Sequence, residues 1–195
     1  MERNYQVVSY TQSANSLESG ENRKSQFSIV AVENNTTVRI QLRKNGVLSG
    51  ASYEINLPFA GSIYSFQDNV DLTGSSIESI SSNGSLCKKI AVFSGSSSLT
   101  IGTSNGSVDP LYQQCYPVNS WGLNYFITPF AGKNKLIIRV LAKENNTNVV
   151  VNGQPPITLN ANEFYEEAFS NNQPFSINGN KPIGVTQYSL SLIHI

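Results

Sequence analysis

Glu33-Asn34-Asn35-Thr36-Thr37-Val38 returns later in the chain as Glu144-Asn145-Asn146-Thr147-Asn148-Val149. Such internal repetition is sought before any fold is proposed, because it marks the structural unit. Working outward, Ala31 falls on Ala142, Ala60-Gly61-Ser62-Ile63-Tyr64 on Ala161-Asn162-Glu163-Phe164-Tyr165, and Ile90 on Ile183. The order of elements is kept while the second copy loses connecting residues. Around the repeat lie short runs rich in β-branched and aromatic residues: Phe27-Ser28-Ile29-Val30-Ala31-Val32, Val38-Arg39-Ile40-Gln41-Leu42 and Lys135-Leu136-Ile137-Ile138-Arg139-Val140. Several alternate apolar with polar, which is the strand period. Asn-Gly follows at 45-46, 83-84, 105-106, 152-153 and 178-179, a dipeptide that supplies the positive φ angles of tight hairpins. No long window has a helical apolar period. The pattern predicts an all-β chain of two tandem, repeat-related β-sandwich-like units packed together. The Asn-Asn-Thr turn itself reads as structural, since Asn accepts the left-handed conformation and Thr or Asn side chains bond nearby amides.

The boundaries follow from the same reading. A first β unit covers 1–108, a linking motif 109–122 and a second β unit 123–191. The tail 192–195 does not continue the pattern and reads as truncated or artefactual.

Thirteen basic residues balance thirteen acidic ones, and charged residues make up only 13% of the 195. That is about half the usual share, and no Lys/Arg run would gather phosphate backbones, so nucleic acid is not an expected partner. No stretch is long and apolar enough for a spanning helix, and the first residues lack the apolar core of a signal peptide. Cys87 and Cys115 are the only cysteines, neither in a CxxC pair nor beside a histidine. They are bonded to each other or both free. The Asn/Ser/Thr-rich composition favours an oxidising setting, and a Cys87–Cys115 disulfide is expected to staple the serine-rich excursion between them.

Chemistry is hard to assemble from this sequence. The one histidine, His194, lies in the tail, which removes His-based acid–base catalysis, nucleophilic triads and His-containing metal sites. Glu166 and Glu167 are adjacent, so on a strand they point to opposite faces. Asp68 and Asp71 have calcium-loop spacing without the glycine and terminal glutamate such a loop needs. No glycine-rich phosphate loop occurs. No catalytic residue, metal site or cofactor is therefore expected. Asn35, Asn83, Asn105 and Asn145 begin sequons, which act as glycan acceptors in a eukaryotic secretory pathway.

The densest motif is Asp109-Pro110-Leu111-Tyr112-Gln113-Gln114-Cys115-Tyr116-Pro117-Val118-Asn119-Ser120-Trp121-Gly122. Tyr112, Tyr116 and Trp121 are the candidate ligand-binding residues, with burial in a core the competing role, favoured for Trp121. This motif, together with Ser28 to Val38, Ile90 to Gly95, Arg139 to Gly153 and Gly184-Val185-Thr186-Gln187-Tyr188-Ser189, resembles the IgGFc-binding protein N-terminal domain family over nearly the whole chain. Pro110 replaces the family's histidine, Gln113 its acidic residue, and Cys115 an aliphatic residue, so no ligand role resting on those positions carries over. The resemblance implies a module of a bacterial-type secreted or cell-surface protein, with neighbouring domains in a longer chain. The reading is a non-catalytic interaction or adhesion module for a protein or glycan partner. A structural spacer is the alternative, and a carbohydrate-active enzyme a more distant one.

Overall fold

The computed structural model describes residues 3–11, 24–81, 87–99, 109–131, 136–170 and 173–189. The serine-rich excursion beyond 99, the sequons at Asn83 and Asn105, and the tail with His194 lie outside them. The described residues form strands and connecting turns, with one 3-10 turn at Val118–Ser120 and no α-helix. Their contacts divide them into two compact units, one drawn from residues 3–119 and the other from 120–189.

The first unit contains β1 (Asn4–Gln6), β2 (Ser25–Ala31), β3 (Thr36–Gln41), β4 (Arg43–Lys44), β5 (Val47–Leu48), β6 (Tyr53–Leu57), β7 (Ile63–Asp68), β8 (Ser76–Ile80), β9 (Ile90–Leu99) and β10 (Asp109–Gln114). Two antiparallel sheets result, ordered β1-β8-β3-β6 and β10-β9-β2-β7, and β4-β5 is a small hairpin around Asn45-Gly46. Alternation decides what lies inside: on β2, Ser25, Phe27, Ile29 and Ala31 are buried while Gln26, Ser28 and Val30 are not. Phe27 and Ile29 meet Val38, Ile40 and Ile77 of the other sheet in one core. Each such side chain contributes about 1.5–3 kcal/mol through burial. At the open side of this sandwich the Tyr53 and Tyr64 hydroxyls meet at 3.1 Å. Burial, reinforced by that hydrogen bond, raises the Tyr53 hydroxyl far above the usual phenol range.

The second unit contains β11 (Gly122–Ile127), β12 (Leu136–Ala142), β13 (Thr147–Val151), β14 (Ile157–Leu159), β15 (Phe164–Phe169) and β16 (Phe175–Ser189). Its pairings follow the plan of the first. As β2 lies between β7 and β9, β12 lies between β15 and β16; as β3 lies between β6 and β8, β13 lies between β14 and β16. The single long β16 therefore takes the places of both β8 and β9. Registers agree residue by residue: Val30 is opposite Ile63 and Ala91, and Leu141 is opposite Phe164 and Gly184. Gly179 sits where β16 passes from one set of partners to the other, and a Cβ there would lie 2.7 Å from the Lys181 carbonyl oxygen. Only glycine fits that approach.

The same plan extends to single hydrogen bonds. Tyr5 on β1 donates its hydroxyl to the Ile90 carbonyl at 2.9 Å, and Tyr125 on β11 donates to the Ile183 carbonyl at 2.7 Å. Each bond ties the first strand of a unit to the start of the closing run. Tyr5→Phe and Tyr125→Phe are each expected to lower stability by about 1 kcal/mol, the usual net value of a hydrogen bond. The Tyr125 oxygen also accepts from the Gly122 amide at 2.9 Å, so Tyr125→Phe leaves that amide without its acceptor as well. Urea denaturation of the two variants checks this.

Candidate functional site

The repeated acidic-Asn-Asn-Thr segment forms the same corner in each unit. Asn35 and Asn146 both take φ 55, the left-handed conformation that Asn tolerates. Thr36 donates to the Glu33 carbonyl and Thr147 to the Glu144 carbonyl, both at 2.6 Å. The Asn34 Oδ1 accepts from the Ala60 amide at 2.8 Å, and the Asn145 Oδ1 from the Ala161 amide at 3.0 Å. Lysine ammonium groups complete the pattern, Lys88 on the Asn34 carbonyl at 2.6 Å and Lys181 on the Asn145 carbonyl at 2.5 Å. The segment's polar groups are spent bracing the fold.

The candidate carboxylates are similarly engaged. Burial works against the charge on Asp68, but the Lys44 ammonium at 2.6 Å and the Val70 and Asn69 amides outweigh it and hold the carboxyl below its usual value. Asp71, buried, accepts from the Thr73 amide at 2.8 Å. Glu166 bonds Arg139 at 2.7 Å, whereas Glu167 accepts from the Tyr165 hydroxyl at 3.0 Å on the other face of β15.

The expected Cys87–Cys115 disulfide is corrected by the structure, in which both thiols are free. The Cys115 amide donates to the Val92 carbonyl, which sets Cys115 beside the middle of the first unit's sheet, with Cys87 five residues up the chain from Val92. At roughly 3.3 Å per extended residue that offset exceeds the Cα spacing of about 7 Å a disulfide can span. The Cys115 sulfur instead packs against the core and lies 3.1 Å from the Ser94 hydroxyl. Burial pushes this thiol up, against the opposing hydrogen bonds from Ser94 and Val8. A thiol held protonated is a poor nucleophile. Native labelling with a disulfide-exchange reagent is therefore expected to modify Cys87 first and Cys115 only on unfolding, and reductant should leave the melting temperature unchanged.

The linking motif is divided between the units. Residues 109–114 are β10, hydrogen-bonded to β9 as an edge strand, with a bulge between Asp109 and Leu111. Pro110 is tolerated there because an edge strand has one unpaired side. Tyr112 and Tyr116 thus belong to the first unit and Trp121 to the second. Tyr112 is about half exposed, at 48%, and Tyr116 more so, at 72%. Trp121 is partly buried over Gly184 of β16, where an added Cβ would lie 2.7 Å from the indole carbons.

Tyr112 stands opposite Gly95, and its ring lies parallel to that of Phe93, with centroids 5.8 Å apart. Both are on the outer face of β10-β9-β2-β7. On the same face Gln67 donates to Gln26 at 2.7 Å, and Ser28 and Ser65 share a hydrogen bond of 2.7 Å. Ile63 completes its exposed margin. The result is a polar and aromatic surface, exposed along its outer strands at Ile63, Ser65, Gln67 and Tyr112.

The corresponding face of the second unit is used differently. In the registers of Ser28 and Ser65 stand Arg139 and Glu166, and every residue of β12 is buried, Arg139 to 2% exposure. The Arg139 guanidinium lies 4.7 Å from the Phe164 ring centroid and 5.9 Å from that of Tyr188. One plan thus yields a covered face in one unit and an open one in the other.

A family model for the IgGFc binding protein matches residues 1–193. The chain belongs to the IgGFc binding protein family. No curated protein matches it. The family is one of extracellular binding domains and implies a protein ligand. Among the described residues, no helix is long and apolar enough to cross a membrane.

Proposed function

We propose that the chain is a non-catalytic interaction module of a secreted or surface protein, and that it holds a protein or glycan partner through the outer face of β10-β9-β2-β7. The observation that carries this reading is the contrast between the units: the same face is covered over β12 but exposed at Tyr112, whose ring lies beside a partly buried Phe93. Exposed aromatic residues over a rigid sheet are the usual anchors of recognition. Tyr116, just beyond β10, extends the surface, while Trp121 acts through packing on Gly184. A non-catalytic role is supported by the engagement of Asp68, Asp71, Glu166 and Glu167 in internal bonds.

The test is Tyr112→Ala in an array of glycans, mucins and immunoglobulin Fc. Removal of a half-exposed ring is expected to leave the melting temperature within a few degrees of the parent while lowering affinity about tenfold, the worth of an aromatic contact of about 1.4 kcal/mol. Unaltered binding to every partner would refute the assignment. Reproducible turnover of a glycan or peptide, abolished by changing one carboxylate, would refute the non-catalytic role.

A further inference from the structure

We infer that the open face of the first unit recognises uncharged sugar residues, an inference that rests on the binding role proposed above. Three properties of the face point to this chemistry. The first is charge. Outward positions on β2, β7 and β9, and Tyr112 and Gln114 on β10, carry no Lys, Arg, Asp or Glu. Within the strands the surface supplies no counter-charge for a sialylated or sulfated chain, and Lys24, paired with Ser97 just ahead of β2, is the cation at its margin. The strand surface also lacks the charged complementarity that steers protein partners together.

The second is hydrogen-bonding capacity. In the Gln67-to-Gln26 bond the Gln67 amide nitrogen donates and the Gln26 oxygen accepts. The Gln67 oxygen and the Gln26 amide nitrogen keep their own capacity, so one pair offers both donor and acceptor. The bonded Ser28 and Ser65 hydroxyls add a second such pair in the neighbouring register. Sugar hydroxyls, themselves donors and acceptors, match paired amides and hydroxyls. Because each pair is already bonded internally, its geometry is fixed before a ligand arrives.

The third is the aromatic pair. The Phe93 and Tyr112 rings are parallel to within 9°. Each π face is negative and attracts the partly positive C–H groups of a pyranose ring. Gly95, opposite Tyr112, has no side chain to rise beside it.

The experiment is calorimetric titration of the full chain with cellohexaose, chitohexaose and lacto-N-tetraose, their sialylated or sulfated counterparts, and an enzymatically deglycosylated immunoglobulin Fc. The expected result is binding of at least one neutral oligosaccharide. Its affinity should fall about tenfold in Tyr112→Ala and in Gln67→Ala, stay unchanged in Arg39→Ala on the other sheet, and shift less than about twofold between low and high salt. Melting curves establish that each variant is folded. Binding of only anionic glycans, with steep salt dependence, would overturn the inference, as would sugar binding indifferent to Tyr112 and Gln67. If the deglycosylated Fc binds in a Tyr112-dependent manner and no sugar does, the sugar inference fails while the binding role survives. If the folded chain binds none of these probes, the sugar inference fails as well.

Discussion

Gly95→Ala is expected to detach β10 from β9 and destabilise the first unit by about 3 kcal/mol or more, the upper range for forcing an extra carbon into a packed site. A Cβ on Gly95 would fall 1.8 Å from the Leu111 carbonyl oxygen and 2.5 Å from its carbonyl carbon. These are backbone atoms of the bulged edge strand, so no rotamer change relieves the overlap. The substitution should also remove binding, since Tyr112 and Gln114 reach the open face only while β10 is paired with Gly95 and Phe93. Amide exchange across 109–114 reads the detachment directly. A variant with parental protection there and an unchanged melt would contradict the close approach.

Arg139→Ala should cost the second unit about 3 kcal/mol, because it removes the buried partner of Glu166, itself 28% exposed, and empties the space the guanidinium fills. Arg139 lies between β15 and β16 under the Phe164 and Tyr188 rings. The comparison that isolates burial is Arg39→Ala. Arg39 bonds Glu54 at 2.9 Å, but both side chains are about half exposed, at 47% and 50%. Exposed pairs contribute about 0–1 kcal/mol, so the two arginine variants should differ severalfold in denaturant midpoint. Equal losses would mean that Arg139 is not held in a desolvated site.

Much of the architecture was legible in the repeat. Glu33 with Glu144, Ala60 with Ala161, and Ile90 with Ile183 are the pairs whose backbones make matching bonds, because a turn that needs left-handed Asn and a Thr brace leaves a sequence trace. Tyr5 and Tyr125 make matching bonds too, and each follows an Asn, but a shared dipeptide is too short to mark a repeat and a single hydroxyl reaching a distant carbonyl has no local pattern. β10 falls within the stretch assigned to the linking motif; an edge strand accommodates Pro110, and only pairing with β9 reveals it. The Asn178-Gly179 turn signal concealed the length of β16, which runs unbroken through it because its partners change there.

The candidate surface was less legible. Tyr112 and Tyr116 stood out by residue type, but Phe93, Gln26, Gln67, Ser28 and Ser65 did not. Alternation indicates that one side of a strand faces outward and leaves open whether that side is later covered. Ser28 and Arg139 hold the same register in their units and have opposite surroundings, which is a property of tertiary packing. The expected disulfide erred for a related reason: the cysteine count and composition carry no register, whereas pairing sets Cys115 beside Val92 and leaves Cys87 ahead of the strand's start.

The central claim is that partners are held on the outer face of the first unit, and hydrogen–deuterium exchange of the full chain, free and bound to a partner drawn from the array, tests it most directly. The predicted result is new protection in 25–30, 63–68, 90–97 and 109–114, with 136–142 unchanged because β12 is already buried on both sides. Protection confined to the second unit, or to the Asn-Asn-Thr corners, would contradict it.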